Sequence, residues 1–263
     1  MSAVLRKLAP LAAVLALAVA LAVPSRPAAA PVVETWPPAG ITVVAHRCNT
    51  AGDIYTEQTQ TACVKALAAG AETIDVDVRW TSTSTPVLLH DSTLALFGSP
   101  DTISAVSYTS ARQHVSPEGQ VLSTLTQLRD LVLVVPGVDL SVELKTTPTP
   151  AQWTKLDAIL APIADRVILN AFDPALLEAA AVRGYDRLAL NANTVPDPAA
   201  VPAVVDVVIV KASAITSQAA DALVADGHKV WCFACDTPTE WQVAGQDGVT
   251  GFATDDHVAA RAW

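Results

Sequence analysis

The sequence predicts a single-domain α/β protein, a TIM-type (β/α)8 barrel with a long loop insertion between the second and third barrel strands. Three observations predict it. Short β-branched or apolar runs recur eight times, with helical stretches carrying start and stop signals between them, and that alternation calls for a parallel sheet. Eight such units close into a barrel, and 263 residues with 51% hydrophobic content suit one barrel core of about 250 residues. Charged and imidazole side chains collect where these runs end, the face on which a barrel keeps its chemistry. An open doubly wound sheet is the competing architecture, but no Gly-x-Gly-x-x-Gly follows any strand.

In chain order, residues 1–30 read as a secretory signal. Arg6 and Lys7 precede an apolar run from Leu8 to Val23, and small residues follow at Ala28, Ala29 and Ala30. An uncleaved anchor is the alternative, although that run falls just short of the roughly 18 to 20 residues that span a bilayer. The expectation is a secreted chain with no stable membrane span once the signal is removed. Residues 31–40 form a leader with Pro31, Pro37 and Pro38, and 41–263 form the barrel domain. Strands are expected at 41–45, 73–79, 139–144, 166–171, 187–191, 206–211, 229–233 and 251–254. Helices are expected at 57–69, 150–164, 174–183, 216–226, 238–244 and 256–262, several stopped by Gly70, Gly184, Gly227 or Gly245. Residues 86–89 form a short return strand on the second, turned by Ser82 to Thr85. An irregular excursion over 92–137, with a helix at 124–134, has the length of a lid or binding loop.

Charge narrows the partners. Without Arg6, Lys7 and Arg26 the mature chain has 13 basic against 26 acidic residues, a balance of −13. A field that negative repels nucleic acid, so any phosphate must be met by local exceptions such as Arg47, Lys145, Lys211 and a bound cation. After export the four cysteines favour disulfides. Three pairings are possible, and Cys48 with Cys63 plus Cys232 with Cys235 is the most local. A zinc site is disfavoured, since only Cys232 and Cys235 have ligand spacing, and a redox motif lacks its usual helix start.

His46, Arg47, Asp77, Glu143, Lys145, Asn170, Asn191, Lys211, Trp231 and Asp255 all stand at or just beyond strand ends, and the return strand brings His90 to the same mouth. Asp75 and Asp77, two apart on a strand, share a face, and Glu143 from the next barrel strand adds a third carboxylate. Such an oxygen set suits one divalent cation, Ca2+ or Mg2+. The plainer alternative is an ion pair with Arg79 or Lys145. His46 and His90 titrate near neutrality and each has a charged neighbour, which favours proton transfer over simple core packing. Arg47 offers a fork for phosphate oxygens and Lys145 a point charge. Together these groups describe phosphoryl transfer, where catalysis is mostly positioning and charge stabilisation.

Ala45-His46-Arg47, Thr56-Glu57-Gln58-Thr59, the run from Gly70 to Val78, the run from Pro86 to Leu94, and Val142-Glu143-Leu144-Lys145 resemble, in order, the motifs of the glycerophosphodiester phosphodiesterase family. A weaker match continues through Gly227 to Trp231 and Gly251 to Asp255. The resemblance implies hydrolysis of a small-molecule glycerophosphodiester to glycerol 3-phosphate and an alcohol, with a divalent cation. It implies His46 and His90 as general acid and base, and Asp75, Asp77 and Glu143 as metal ligands supported by Glu57 from behind. Arg47 and Lys145 then meet the phosphate, and Trp231 walls the glycerol pocket, while Lys211, a basic residue at a strand end, is expected to meet substrate on charge grounds alone. It further implies that the substrate's own hydroxyl attacks phosphorus before water opens the cyclic product.

This chain departs from the family at Asp75, where Glu is usual, at Gln58, where Asn is usual, and at Cys48, where Gly is usual. A phospholipase D-like lipid hydrolase and a non-catalytic binding barrel are the alternatives. His114, His228 and His257 are expected at the surface, Trp153 and Trp241 in packing, and Trp80 either at the mouth or in the core.

Overall fold

The computed structural model describes residues 41–49, 55–241 and 248–262. The signal expected at 1–30, the leader at 31–40 and the end of the 238–244 helix lie outside the described residues. Nine strands follow one another: β1 (Thr42–Ala45), β2 (Thr73–Trp80), β3 (Pro86–Leu88), β4 (Asp139–Leu144), β5 (Val167–Ala171), β6 (Leu188–Ala192), β7 (Val207–Lys211), β8 (Lys229–Phe233) and β9 (Val249–Thr254). All but β3 are parallel to their neighbours, and pairing of β1 with both β9 and β2 closes eight of them into the barrel. β3 runs antiparallel on the upper end of β2.

Alternation along the strands separates two environments. Ile74, Val76 and Val78 of β2, Leu140, Val142 and Leu144 of β4, and Val208 and Val210 of β7 are buried together in the apolar layer under the helices. The residues between them, Asp75, Asp77, Ser141, Glu143 and Ile209, line the barrel mouth. One periodicity thus builds the core and aims the polar groups.

Helix boundaries follow capping chemistry. The helix expected from Glu57 begins later, as α1 (Gln60–Ala68), because Gln58 takes a left-handed backbone and Thr59 accepts the Ala62 N–H at its hydroxyl. The expected 150–164 helix is α4 (Pro150–Leu160) followed by a 3-10 segment, Ala161–Arg166, where Pro162 has no amide to donate. The 92–137 excursion is less irregular than expected. It carries α2 (Tyr108–Ala111) and α3 (Leu125–Val134), and buries its own cluster of Leu94, Phe97, Ile103, Ala111 and Leu122 against Val87 and Leu89.

Cys48 pairs with Cys63, and Cys232 with Cys235. Trp80, Trp153 and Trp241 are buried in the core. Two histidines expected at the surface are buried instead, because each closes a junction on a main-chain carbonyl: His228 Nδ1 donates to Val205 and His257 Nδ1 to Asn49, both at 2.9 Å. Among the described residues, no helix is long and apolar enough to cross a membrane.

Candidate active site

A cavity of about 540 Å³, counting space open to solvent, occupies the C-terminal mouth. Its walls include His46, Arg47, Asp75, Asp77, His90, Glu143, Lys145 and Trp231. Of the residues to which the sequence assigns a role at the site, the mouth therefore gathers all but Lys211 and Glu57. Lys211 is exposed at the end of β7 and lies apart from the wall, where its neighbour across the ladder, Phe233, stands instead. Glu57 stands behind the wall and meets Arg47.

β1 stops at Ala45, and the chain turns sharply through His46 to Cys48, with Arg47 and Cys48 at φ of 52° and 60°. A non-glycine left-handed residue costs of order 1 kcal/mol, so two in succession need outside support. The disulfide to Cys63 ties this turn to α1. His46 projects from it and donates through Nδ1 to Asp255 Oδ1 at 2.8 Å, which Asn49 also bonds at 3.1 Å. His90, just beyond β3, donates through Nδ1 to Asp91 Oδ1 at 2.9 Å. A carboxylate can only accept, so both imidazoles are fixed in the tautomer that leaves Nε2 for a ligand. Arg79 braces the second loop, its Nε and Nη2 donating to the His90 carbonyl at 2.8 and 2.6 Å. Burial alone would lower the His46 pKa, but the Asp255 bond and the nearby Asp75 charge outweigh it and hold the imidazole above its ordinary value.

The carboxylates are coupled through Lys145, whose Nζ lies 2.8 Å from Asp77 Oδ1 and 2.6 Å from Glu143 Oε1. Arg47 divides itself between Glu57, at 3.3 Å, and Asp77, at 3.7 Å. Burial raises Asp77, yet Lys145, His90 and Arg47 together keep it below its ordinary range. Glu143 is pushed up to about 7 by burial and by the Asp77 charge, because the ammonium beside it is shared with Asp77. Asp75 is also raised, first by burial and then by Asp77. Its Oδ1 accepts from Ser141 Oγ at 2.8 Å, Ser141 accepts from Asn170 Nδ2 at 2.8 Å, and Asn170 accepts from Asn191 Nδ2 at 2.7 Å. This buried relay crosses from β6 to β2 and fixes the floor of the cavity.

The oxygen donors suit a hard divalent cation in kind. Three carboxylates stand beside one ammonium, Arg47 being matched by Glu57, and burial together with this crowding is what raises Asp75 and Glu143. In the present arrangement Lys145 separates Asp77 from Glu143, and among the described residues no three His, Cys, Asp or Glu side chains are drawn together as a metal cluster.

The opposite wall is apolar: Phe172, Ile209, Trp231 and Phe233, with the two phenylalanines edge to face at 6.2 Å. Trp231 depends on Gly251, since a Cβ there would fall 2.6 Å from its Nε1. Sequence reasoning assigned no role to Asp255, Gln58, Ser141 or the two phenylalanines. Asp255 had a visible signal, an acid closing the last strand at the level of His46.

Fixed cations beside fixed imidazoles suit phosphoryl transfer to an oxygen nucleophile, and the fold places them where barrel enzymes react. Residues 46–259 match the profile of the Glycerophosphoryl diester phosphodiesterase family, and the chain belongs to that family as a phosphoric diester hydrolase. No curated protein matches the sequence. Solved structures share the fold at low identity. A candidate glycerophosphoryl diester phosphodiesterase from Agrobacterium tumefaciens is 20% identical over 85% of this chain and 96% of its own, with a TM-score of 0.76. A glycerophosphodiester phosphodiesterase from Parabacteroides distasonis is 17% identical over 85% and 97%, at 0.74. An Oleispira antarctica phosphodiesterase, solved with its product sn-glycerol 3-phosphate, is 17% identical over 84% and 95%, at 0.69.

Proposed function

We propose that the protein is an exported, divalent-cation-dependent enzyme that releases glycerol 3-phosphate and an alcohol from glycerophosphodiesters, with His46 and His90 exchanging the protons. The observation that carries this reading is the pair of imidazoles, each anchored at Nδ1 by a carboxylate, on one cavity with Arg47 and Lys145. The product complex of the Oleispira relative supports the substrate class, and the run over residues 1–30 supports export.

One imidazole Nε2 takes the proton of a glycerol hydroxyl as that oxygen bonds to phosphorus. The other gives a proton to the head-group oxygen as its bond to phosphorus breaks. In the second half the roles reverse, and water opens the cyclic phosphate. Arg47 and Lys145 hold the phosphoryl oxygens, and Trp231 with its apolar neighbours packs the glycerol carbons and keeps water from them. Asp75, Asp77 and Glu143 would hold Ca2+ or Mg2+, which when bound supplies charge for the phosphoryl oxygens. Lys145 must then move off at least one carboxylate, which frees it for the phosphate.

Incubation with several glycerophosphodiesters, with and without chelator, tests the proposal. Glycerol 3-phosphate should form, stop with chelator, and return with Ca2+ or Mg2+. No product from any diester defeats the function, and full activity in chelator defeats the cation. A phospholipase D-like lipid hydrolase is the second reading, favoured by Leu96, Val115 and Val121 exposed on the excursion. Cleavage of intact lipid in the same assay, in place of glycerophosphodiesters, would select it.

A further inference from the structure

The upper half of β2 outruns its neighbour. β1 reaches only Thr73 and Ile74, and β3 takes up the same edge only from Val78. Asp77 lies in the gap, with a buried carboxylate and a backbone N–H that no strand faces. An unpaired buried amide costs about 1–3 kcal/mol, so something must meet it.

Gln58 does so with its side chain. Its Oε1 accepts from the Asp77 N–H at 2.7 Å, and its Nε2 donates to Asp77 Oδ2 at 2.5 Å. Gln58 is 1% exposed and sits at φ of 57°, and its own N–H donates to the Arg47 carbonyl at 2.9 Å. A single amide thus grips the main chain and the carboxylate of one residue, while its backbone grips the His46–Arg47 turn. Asp77 Oδ1 is left on the Lys145 side.

We propose that Gln58 is a positioning residue for the cation site, holding Asp77 so that Oδ1 is presented to the cation and Oδ2 is not. The inference rests on the proposed reading of Asp77 as a cation ligand. It depends on both ends of the amide. Glutamate at 58 keeps an acceptor for the Asp77 N–H but sets carboxylate against carboxylate. Leucine keeps the bulk and loses both bonds, and asparagine keeps both groups on a stem one methylene shorter.

The test measures Ca2+ and Mg2+ affinity by calorimetry and steady-state kinetics on glycerophosphocholine for Gln58→Glu, Gln58→Leu and Gln58→Asn. Gln58→Glu and Gln58→Leu should each weaken the cation about 10- to 100-fold and lower kcat by a similar factor, with KM shifting less than about threefold. Gln58→Asn should recover part of both. Gln60→Ala, at an exposed position in the first turn of α1, should match wild type. If Gln58→Glu and Gln58→Leu lose only thermal stability, with affinity and kcat per folded molecule unchanged, Gln58 is structural and the inference is overturned. A wild type without turnover whose cation affinity still falls with Gln58→Leu would defeat the phosphodiesterase reading and keep this inference. A wild type that binds no cation defeats the inference whatever its activity.

Discussion

Around the mouth, the side supplied by β1, β2 and β4 is charged and tied by hydrogen bonds, whereas Phe172 just past β5, Ile209 of β7, and Trp231 and Phe233 of β8 form an apolar wall held by packing. On the charged side nearly every functional group has a named partner: His46 on Asp255, His90 on Asp91, Asp77 on Gln58 and Lys145, Asp75 on Ser141. On the apolar side position comes from shape, as the fit of Trp231 over Gly251 shows. Groups that must hold a protonation state are fixed by directional bonds, and groups that only need to exclude water are fixed by contact.

The comparison breaks most visibly at the imidazoles. His46→Ala and His90→Ala should each lower kcat on glycerophosphodiesters by about 10²- to 10⁴-fold while leaving the denaturation midpoint near wild type. Stopped turnover with an intact fold is the signature, and full retention in both variants would remove the charged side from the chemistry.

Gly251→Ala probes the apolar side and should do less. Its new Cβ meets Trp231 at 2.6 Å, so the indole must shift, at about 1–3 kcal/mol of stability. KM should rise and kcat should hold, because the wall binds glycerol and moves no proton. An equal fall in kcat with unchanged KM would place the wall in the transition state instead.

Asp255→Asn sharpens the charged side with the smallest effect. Asn still accepts from His46 Nδ1, but the charge that helps raise the imidazole is gone, so its pKa falls. The limb of the pH–rate profile that follows His46 should move to lower pH. For stability, a raised imidazole pKa contributes below its unfolded value and is lost as pH rises through the folded one, while the lowered Asp255 contributes above its own unfolded value. The variant should therefore be weaker than wild type chiefly between about pH 4 and 6.5, and the two should converge at alkaline pH.

Much of this was legible in the sequence, for a physical reason. Strand alternation and terminal charge are local, so β4 and β8 run over 139–144 and 229–233 as their residue pattern predicts. What was not legible lies in long-range pairing and in backbone conformation. His46 meets Asp255 across 209 positions, and no spacing announces it. Gln58 reads as a plain variant of the family's Asn until its left-handed backbone turns the amide onto Asp77. Lys211 stands at a strand end like Lys145, yet only Lys145 has carboxylates beside it. His257 misleads because an imidazole at a helix start reads as exposed, whereas here it bonds the carbonyl of Asn49.

The central claim is that two anchored imidazoles and two cationic side chains converge on one phosphorus. A crystal structure with glycerol 3-phosphate and Ca2+ tests it most directly. The phosphate should sit within about 3 Å of Arg47, Lys145 and both imidazole Nε2 atoms, with its carbons against Trp231. A phosphate bound elsewhere, or one that reaches only one of the two histidines, would contradict it.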